Sequence, residues 1–208
     1  MLPRLYLVTD RTQTAGRSLV EAVSAAIAGG VGLVQLREKD LPAGALYALA
    51  RELQPICRRA GVRLLINDRV DIALAADADG VHLPANSLSP ADARRLLGPA
   101  RVIGVSAHGV ADAQAAAAGG ADFVVIGPVF DTPSKQRYGP PLGLDALRAA
   151  AAAVRVPVFA IGGATPERVA DLRAAGAYGV AAIAALLNVS SPAAAARAFD
   201  TGLRGTLP

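Results

Sequence analysis

Leu5-Tyr6-Leu7-Val8-Thr9-Asp10 is the stretch on which the fold turns. It is a short apolar run of strand character that ends on a hydroxyl and a carboxylate. A doubly wound nucleotide-binding sheet opens with such a strand and follows it with a glycine-rich phosphate turn. No such turn follows Asp10. Working outward, the same kind of run recurs, and the spacing predicts strands over 5–10, 31–38, 63–68, 80–83, 101–107, 123–129, 157–163 and 179–186. Ala/Leu-rich stretches of helical period lie between them, with helix starts near Ser18, Pro42, Arg69, Pro90, Val110, Leu144, Pro166 and Pro192. Ser89-Pro90, Thr165-Pro166 and Ser191-Pro192 each set a capping residue before a first-turn proline. Glycine closes several helices, as at Gly30, Gly61, Gly120 and Gly176. Strand and helix alternate through eight units, so the fold class is α/β with a parallel sheet, and eight units close it into a single (β/α)8 TIM barrel over residues 1–208. The chain is short against the ~250 residues usual for that fold, which leaves little room for insertions.

Composition narrows the class. Hydrophobic residues make up 53% of the chain, yet no apolar run reaches the roughly 18 residues of a membrane span. The start, Met1-Leu2-Pro3-Arg4, lacks the pattern of a signal peptide, and a cytoplasmic protein is expected. Cys57, the single cysteine, falls in a helical apolar stripe and reads as a structural thiol. The net charge is +4, but the basic residues form no run, tryptophan is absent and aromatics are 4%, so no nucleic-acid surface is expected. Only Lys39 and Lys135 are lysine, the other basic residues being arginine.

In a barrel of this type the chemistry sits at the C-terminal ends of the strands. The second strand ends Gln35-Leu36-Arg37-Glu38-Lys39, and the strand period of two puts Gln35, Arg37 and Lys39 on one face. Turned inward, they form a ladder suited to an anionic, hydrogen-bonding ligand. Asn67-Asp68 ends the third strand, where an amide and a carboxylate orient a heterocycle or ligate a hard cation, or else cap the helix at Arg69. Ser106 and His108 share a face at the end of the fifth, and His108 is the preferred proton-transfer residue. His82, near the end of the fourth strand, is the other histidine. After the sixth strand, Thr132, Ser134 and Lys135 make a loop able to close over a diphosphate. Gly162-Gly163 after the seventh, with backbone N–H groups after the eighth, occupy the usual phosphate site of the fold.

These motifs, with Gly104-Val105-Ser106-Ala107-His108, Ala121-Asp122-Phe123 and Ala160-Ile161-Gly162-Gly163, resemble the signature of the thiamin-phosphate synthase and thiazole tautomerase (TenI) family. The resemblance covers essentially the whole chain. It implies an enzyme that joins a hydroxymethylpyrimidine diphosphate to a thiazole phosphate and releases diphosphate. Gln35, Arg37, Lys39 and Asn67 would meet the pyrimidine diphosphate, and Asp68 would hold Mg²⁺. Ser106, Thr132, Ser134 and the catalytic Lys135 would line the reaction site, with Gly162, Gly163, Ile183 and Ala184 around the thiazole phosphate. The expected partners are those two small molecules, with no nucleic acid and no membrane, and assembly into a homo-oligomer is left open.

The chain departs from the synthase pattern in the segment after the fourth strand. Synthases resemble Gly-Gln-Glu-Asp there, whereas this chain reads Pro84-Ala85-Asn86-Ser87, with Ser87 in the place of a second magnesium-binding Asp. Ala184 stands where Ser is usual. The segment is closer to the tautomerase branch, in which His108 would move the proton and no metal would be needed. Retention of Gln35, Arg37, Lys39 and Asp68 favours the synthase, since a tautomerase has no diphosphate to bind. A non-catalytic regulatory or ligand-binding barrel is the alternative from outside the enzymes.

Overall fold

In a computed structural model that describes residues 1–132 and 140–205, the eight strands close on themselves. β1 (Leu5–Val8), β2 (Leu33–Leu36), β3 (Arg63–Asn67), β4 (Gly80–Leu83), β5 (Val102–Ala107), β6 (Phe123–Ile126), β7 (Val158–Ala160) and β8 (Gly179–Ala182) pair in parallel in chain order, and β8 returns to β1. The helices are α1 (Leu19–Ala28), α2 (Ala43–Arg59), α3 (Val70–Ala75), α4 (Pro90–Leu97), α5 (Val110–Ala118), α6 (Gly143–Ala153), α7 (Val169–Ala174), α8 (Ala184–Leu187) and α9 (Pro192–Arg204). Local chemistry accounts for them. In α1 the Ser18 side chain accepts from the Glu21 N–H while Glu21 reaches back to Ser18, a capping box. Leu19, Ala22, Val23 and Ala26 then form the buried stripe.

Side chains alternate across each strand and build two apolar layers. Leu5, Leu7, Val34, Leu36, Leu64 and Ile66 face the helices. Tyr6, Leu33, Leu65, Phe123, Phe159 and Ala181 fill the barrel itself. The ring centroids of Phe123 and Phe159 lie 5.2 Å apart, and Tyr6 meets Phe123 edge-on at 5.6 Å. Each such fully buried ring contributes about 1.5–3 kcal/mol from apolar burial. The helix layer holds Cys57, whose thiol burial pushes up to about 12, as suits a structural thiol.

Three expectations need correction. The strand placed over 179–186 ends at Ala182, and its last residues instead turn into the short helix α8. Periodicity could not separate them, because Val-Ala-Ala-Ile-Ala-Ala-Leu-Leu is apolar throughout. Pro166 begins a 3-10 turn (Pro166–Arg168) that leads into α7, and Thr165 makes no side-chain cap. β4 and β5 end where expected, at Leu83 and Ala107, whereas β1, β2, β3, β6 and β7 stop one to three residues short of their expected ends as the chain leaves the ladder toward the mouth.

Candidate active site

The register settles which residues reach the interior. Val8 lies beside Gln35, Gln35 beside Leu65, Asn67 beside His82, and His82 beside Gly104. Gln35 is buried inside the barrel, with its side-chain N–H donating to the Tyr6 hydroxyl at 2.8 Å. Two residues further along, Arg37 is half-buried, and its charge acts on His82 and on Asp10, which places the guanidinium at the mouth. Lys39 is exposed beyond it. The residue between them, Glu38, faces the other way and is 4% exposed. Its carboxylate accepts from Thr9 Oγ1 at 2.6 Å and from the Arg11 N–H and guanidinium at 3.1 and 3.2 Å. Thr9 Oγ1 in turn accepts the Arg37 N–H at 2.8 Å. Glu38 thereby ties the end of β2 to β1 and fixes the direction in which Arg37 leaves the strand.

Asn67 is half-buried at the end of β3, and Asp68 follows in the left-handed region at φ 66°. Neither caps α3, whose first-turn cap position is Arg69 without a side-chain cap bond. The capping alternative therefore fails. The Asp68 carboxylate is exposed and accepts from the Ser87 hydroxyl, so the chain's departure at Ser87 lies directly against the expected metal ligand. Among the described residues no group of three or more His, Cys, Asp or Glu side chains could hold a metal.

Ser106 lies half-buried at the end of β5. His108 is exposed, with Nδ1 2.9 Å from the Gly127 carbonyl. A carbonyl can only accept, so Nδ1 carries a hydrogen, and in the neutral form of the ring the lone pair is on Nε2. Thr132 is half-buried; Ser134 and Lys135 lie outside the described residues. Gly162 (φ 95°) and Gly163 (φ 64°) bring the loop after β7 against the loop after β6. A Cβ on Gly162 would sit 2.5 Å from Pro128 Cβ, and one on Gly163 would sit 2.7 Å from the Asp131 carbonyl. The Phe130 N–H donates to the Gly162 carbonyl at 3.0 Å, locking the two loops together. Ile183, half-buried, is the cap residue of α8, and exposed Ala184 opens it. Loops after strands seven and eight with a short extra helix are the phosphate cradle of this fold.

His82 is the residue whose part the sequence left unread. It is 3% exposed, with Nδ1 3.3 Å from the Tyr6 hydroxyl and Nε2 2.8 Å from Ser106 Oγ. Burial, and then the Arg37 charge, push its imidazole down to about 3, so the ring is neutral. The signal that finds it is the strand period: Tyr6, Gln35 and His82 all fall on inward positions. A cleft of about 400 Å³ lined by Arg51, Gln54 and Arg58 lies at the other end of the barrel, across an Arg58–Asp77 ion pair, and shares none of these residues.

Glycine-rich loops and a short helix in the position of the fold's phosphate site, at the same end as a polar, cation-bearing mouth, define an α/β enzyme of the (β/α)8-barrel class. More narrowly, the chain belongs to the thiamine monophosphate synthase family, whose profile matches residues 5–186. It is 55% identical to a putative thiamine-phosphate synthase of Geobacter sulfurreducens over 94% of this chain and 92% of that protein. It is 50% identical to the thiamine-phosphate synthase of Roseiflexus castenholzii over 94% of this chain and 86% of that one. A solved thiamine phosphate pyrophosphorylase from Pyrococcus furiosus superposes with a TM-score of 0.87 at 31% identity, covering 96% of this chain and 95% of that chain.

Proposed function

We propose that this chain is a thiamine-phosphate synthase that joins a hydroxymethylpyrimidine diphosphate to a thiazole phosphate. The observation that carries the reading is the convergence of Gln35, Arg37, Asn67, Asp68 and Ser106 on one barrel mouth that also holds the Gly162-Gly163 and α8 cradle. One mouth thus offers places for two phosphorylated ligands. In the reaction the bond from the pyrimidine methylene carbon to the diphosphate oxygen breaks, and its electron pair leaves with the diphosphate. The aminopyrimidine ring spreads the positive charge left on the carbon. The thiazole nitrogen lone pair then forms the new C–N bond, with no net proton transfer.

The residues suit that balance. Arg37 supplies a fixed positive charge for the departing diphosphate, which Lys39, and Lys135 outside the described residues, would extend, while the Ser134 hydroxyl, also outside them, would add a hydrogen bond. Gln35 and Asn67 orient the pyrimidine, and Ser106 and Thr132 face the leaving group. Gly163 with the α8 backbone N–H groups holds the thiazole phosphate so that its nitrogen faces the carbon. Mg²⁺ fits the donor set as a site completed by substrate. Asp68 gives an exposed carboxylate and Ser87 a neutral oxygen against it, and Mg²⁺ commonly takes one or two carboxylates together with substrate phosphates. Bound there, it would neutralise charge on the diphosphate. Two small phosphorylated substrates are consistent with the cytoplasmic location expected from the sequence.

Steady-state kinetics of Arg37→Ala test the assignment. Loss of a charge made for the leaving group lowers kcat by about 100-fold. An unchanged kcat in the folded variant would remove Arg37 from the reaction. A thiazole tautomerase is the second reading, favoured by Ser87 and by His108, whose Nε2 makes no hydrogen bond among the described residues. It requires proton transfer on a carboxylated thiazole phosphate without any pyrimidine, lost in His108→Ala.

A further inference from the structure

Tyr6, Gln35, His82 and Ser106 come from four different strands and meet inside the barrel as one hydrogen-bonded line. Counting hydrogens restricts what this line can do. A phenol carries one, a neutral imidazole one and a serine hydroxyl one. When the Gln35 amide donates to Tyr6, the Tyr6 hydrogen goes to His82 Nδ1. The ring hydrogen then sits on Nε2 and goes to Ser106 Oγ. The Ser106 hydrogen is left over for the mouth, and so is the Gln35 carbonyl oxygen, which takes no side-chain hydrogen bond among the described residues. Reversed throughout, the line would start from the Ser106 hydroxyl and end on the Gln35 carbonyl. It would then offer the mouth a Gln35 amide and a Ser106 lone pair. Any mixed arrangement leaves a hydrogen or a lone pair of the buried Tyr6 or His82 without a partner, at a cost that the low-polarity interior makes large.

We propose that Tyr6 and His82 are positioning residues whose relay makes Gln35 an acceptor and Ser106 a donor at the mouth, selecting a ligand with an amino group at one and an anionic oxygen at the other. The two ends do not touch, yet the hydrogen position in the ring makes their polarities rise and fall together. Packing holds the ring in place: a Cβ on Gly104 would sit 2.8 Å from His82 Nδ1 and 2.2 Å from Phe123 Cζ. For the substrate, and resting on the synthase reading, the relay distinguishes an aminopyrimidine from its oxo counterpart. A carbonyl presented to Gln35 would reverse the line and turn the Ser106 lone pair toward the diphosphate.

The test reads the ring directly. ¹⁵N NMR of protein labelled in its histidine rings reports which nitrogen of His82 carries the hydrogen, and His108→Gln assigns the second of the two histidines. The relay requires the Nε2–H form in the wild type at pH 8. In Gln35→Glu a carboxylate can only accept from Tyr6, so the hydrogen moves to Nδ1, two hydrogen bonds from the substitution. Nδ1–H in the wild type, or Nε2–H persisting in Gln35→Glu, overturns the proposal. As a second readout, Tyr6→Phe lowers the preference for the amino over the oxo pyrimidine diphosphate in kcat/KM by about tenfold, and an unchanged preference counts against the relay. Absence of turnover in the wild type contradicts the synthase reading alone, since the ring tautomer decides the relay without it.

Discussion

His82 sits at the centre of the barrel as a neutral ring, and that has a stability consequence. Its imidazole is held down at about 3 by burial, against an ordinary value near 6.5. Between these two values the unfolded chain binds a proton that the folded chain refuses. Stability contributed by the neutral ring is therefore complete above pH 6.5 and is lost as pH falls, at up to about 1.4 kcal/mol per pH unit. Urea unfolding at pH 7.5, 6 and 5 should show this slope in the wild type and a shallower one in His82→Gln; equal slopes would mean that the buried ring takes up its proton without cost. At this scale the sequence was informative where strand alternation applied. Gln35 and Arg37 stand at the mouth as the period of two requires, and Asp68 stands beside them. It was silent where partners come from other strands. Nothing local to His82 announces Tyr6, 76 residues away, or Ser106, 24 residues away.

At the scale of elements, the loops after β6 and β7 act as one piece. Gly162 lies at φ 95° with no space for a Cβ beside Pro128, so Gly162→Ala both strains the backbone and separates the loops. We expect a loss of about 2 kcal/mol in stability and a raised KM for the thiazole phosphate, measured by denaturation and initial rates. Ser18→Ala is the contrasting case. Loss of the α1 capping box costs about 1 kcal/mol and leaves that KM unchanged, because the box serves only its own helix. A KM that moved equally in both variants would show that general loosening, not the loop contact, sets affinity. The capping box and most helix starts were legible because their chemistry is local. α8 was not, since its residues are apolar at every position and the end of the strand shows only in the ladder, where β8 pairs with β1 as far as Ala182.

At the scale of the molecule, closure of eight strands puts residues from both ends of the chain at one mouth, which is what a two-substrate reaction needs. The eightfold recurrence made the barrel readable, since parallel strands with short connections leave few other topologies. The pairing of Ser87 with Asp68 was not readable in the same way, because it depends on how the loop after β4 folds back over the end of β3. It also yields a prediction for the whole enzyme. With a single carboxylate at that position, a chelator should abolish synthase turnover and added Mg²⁺ restore it, with Asp68→Ala raising the Mg²⁺ needed for half-maximal rate by at least about tenfold. A rate indifferent to chelation would separate this chain from metal-assisted diphosphate release.

The most direct test of the account is the stoichiometry of turnover by the purified protein given Mg²⁺, the hydroxymethylpyrimidine diphosphate and the thiazole phosphate. The account predicts one diphosphate released for each thiamin phosphate formed, and neither product when either substrate is left out. Binding of both substrates by folded protein with no thiamin phosphate formed would contradict it.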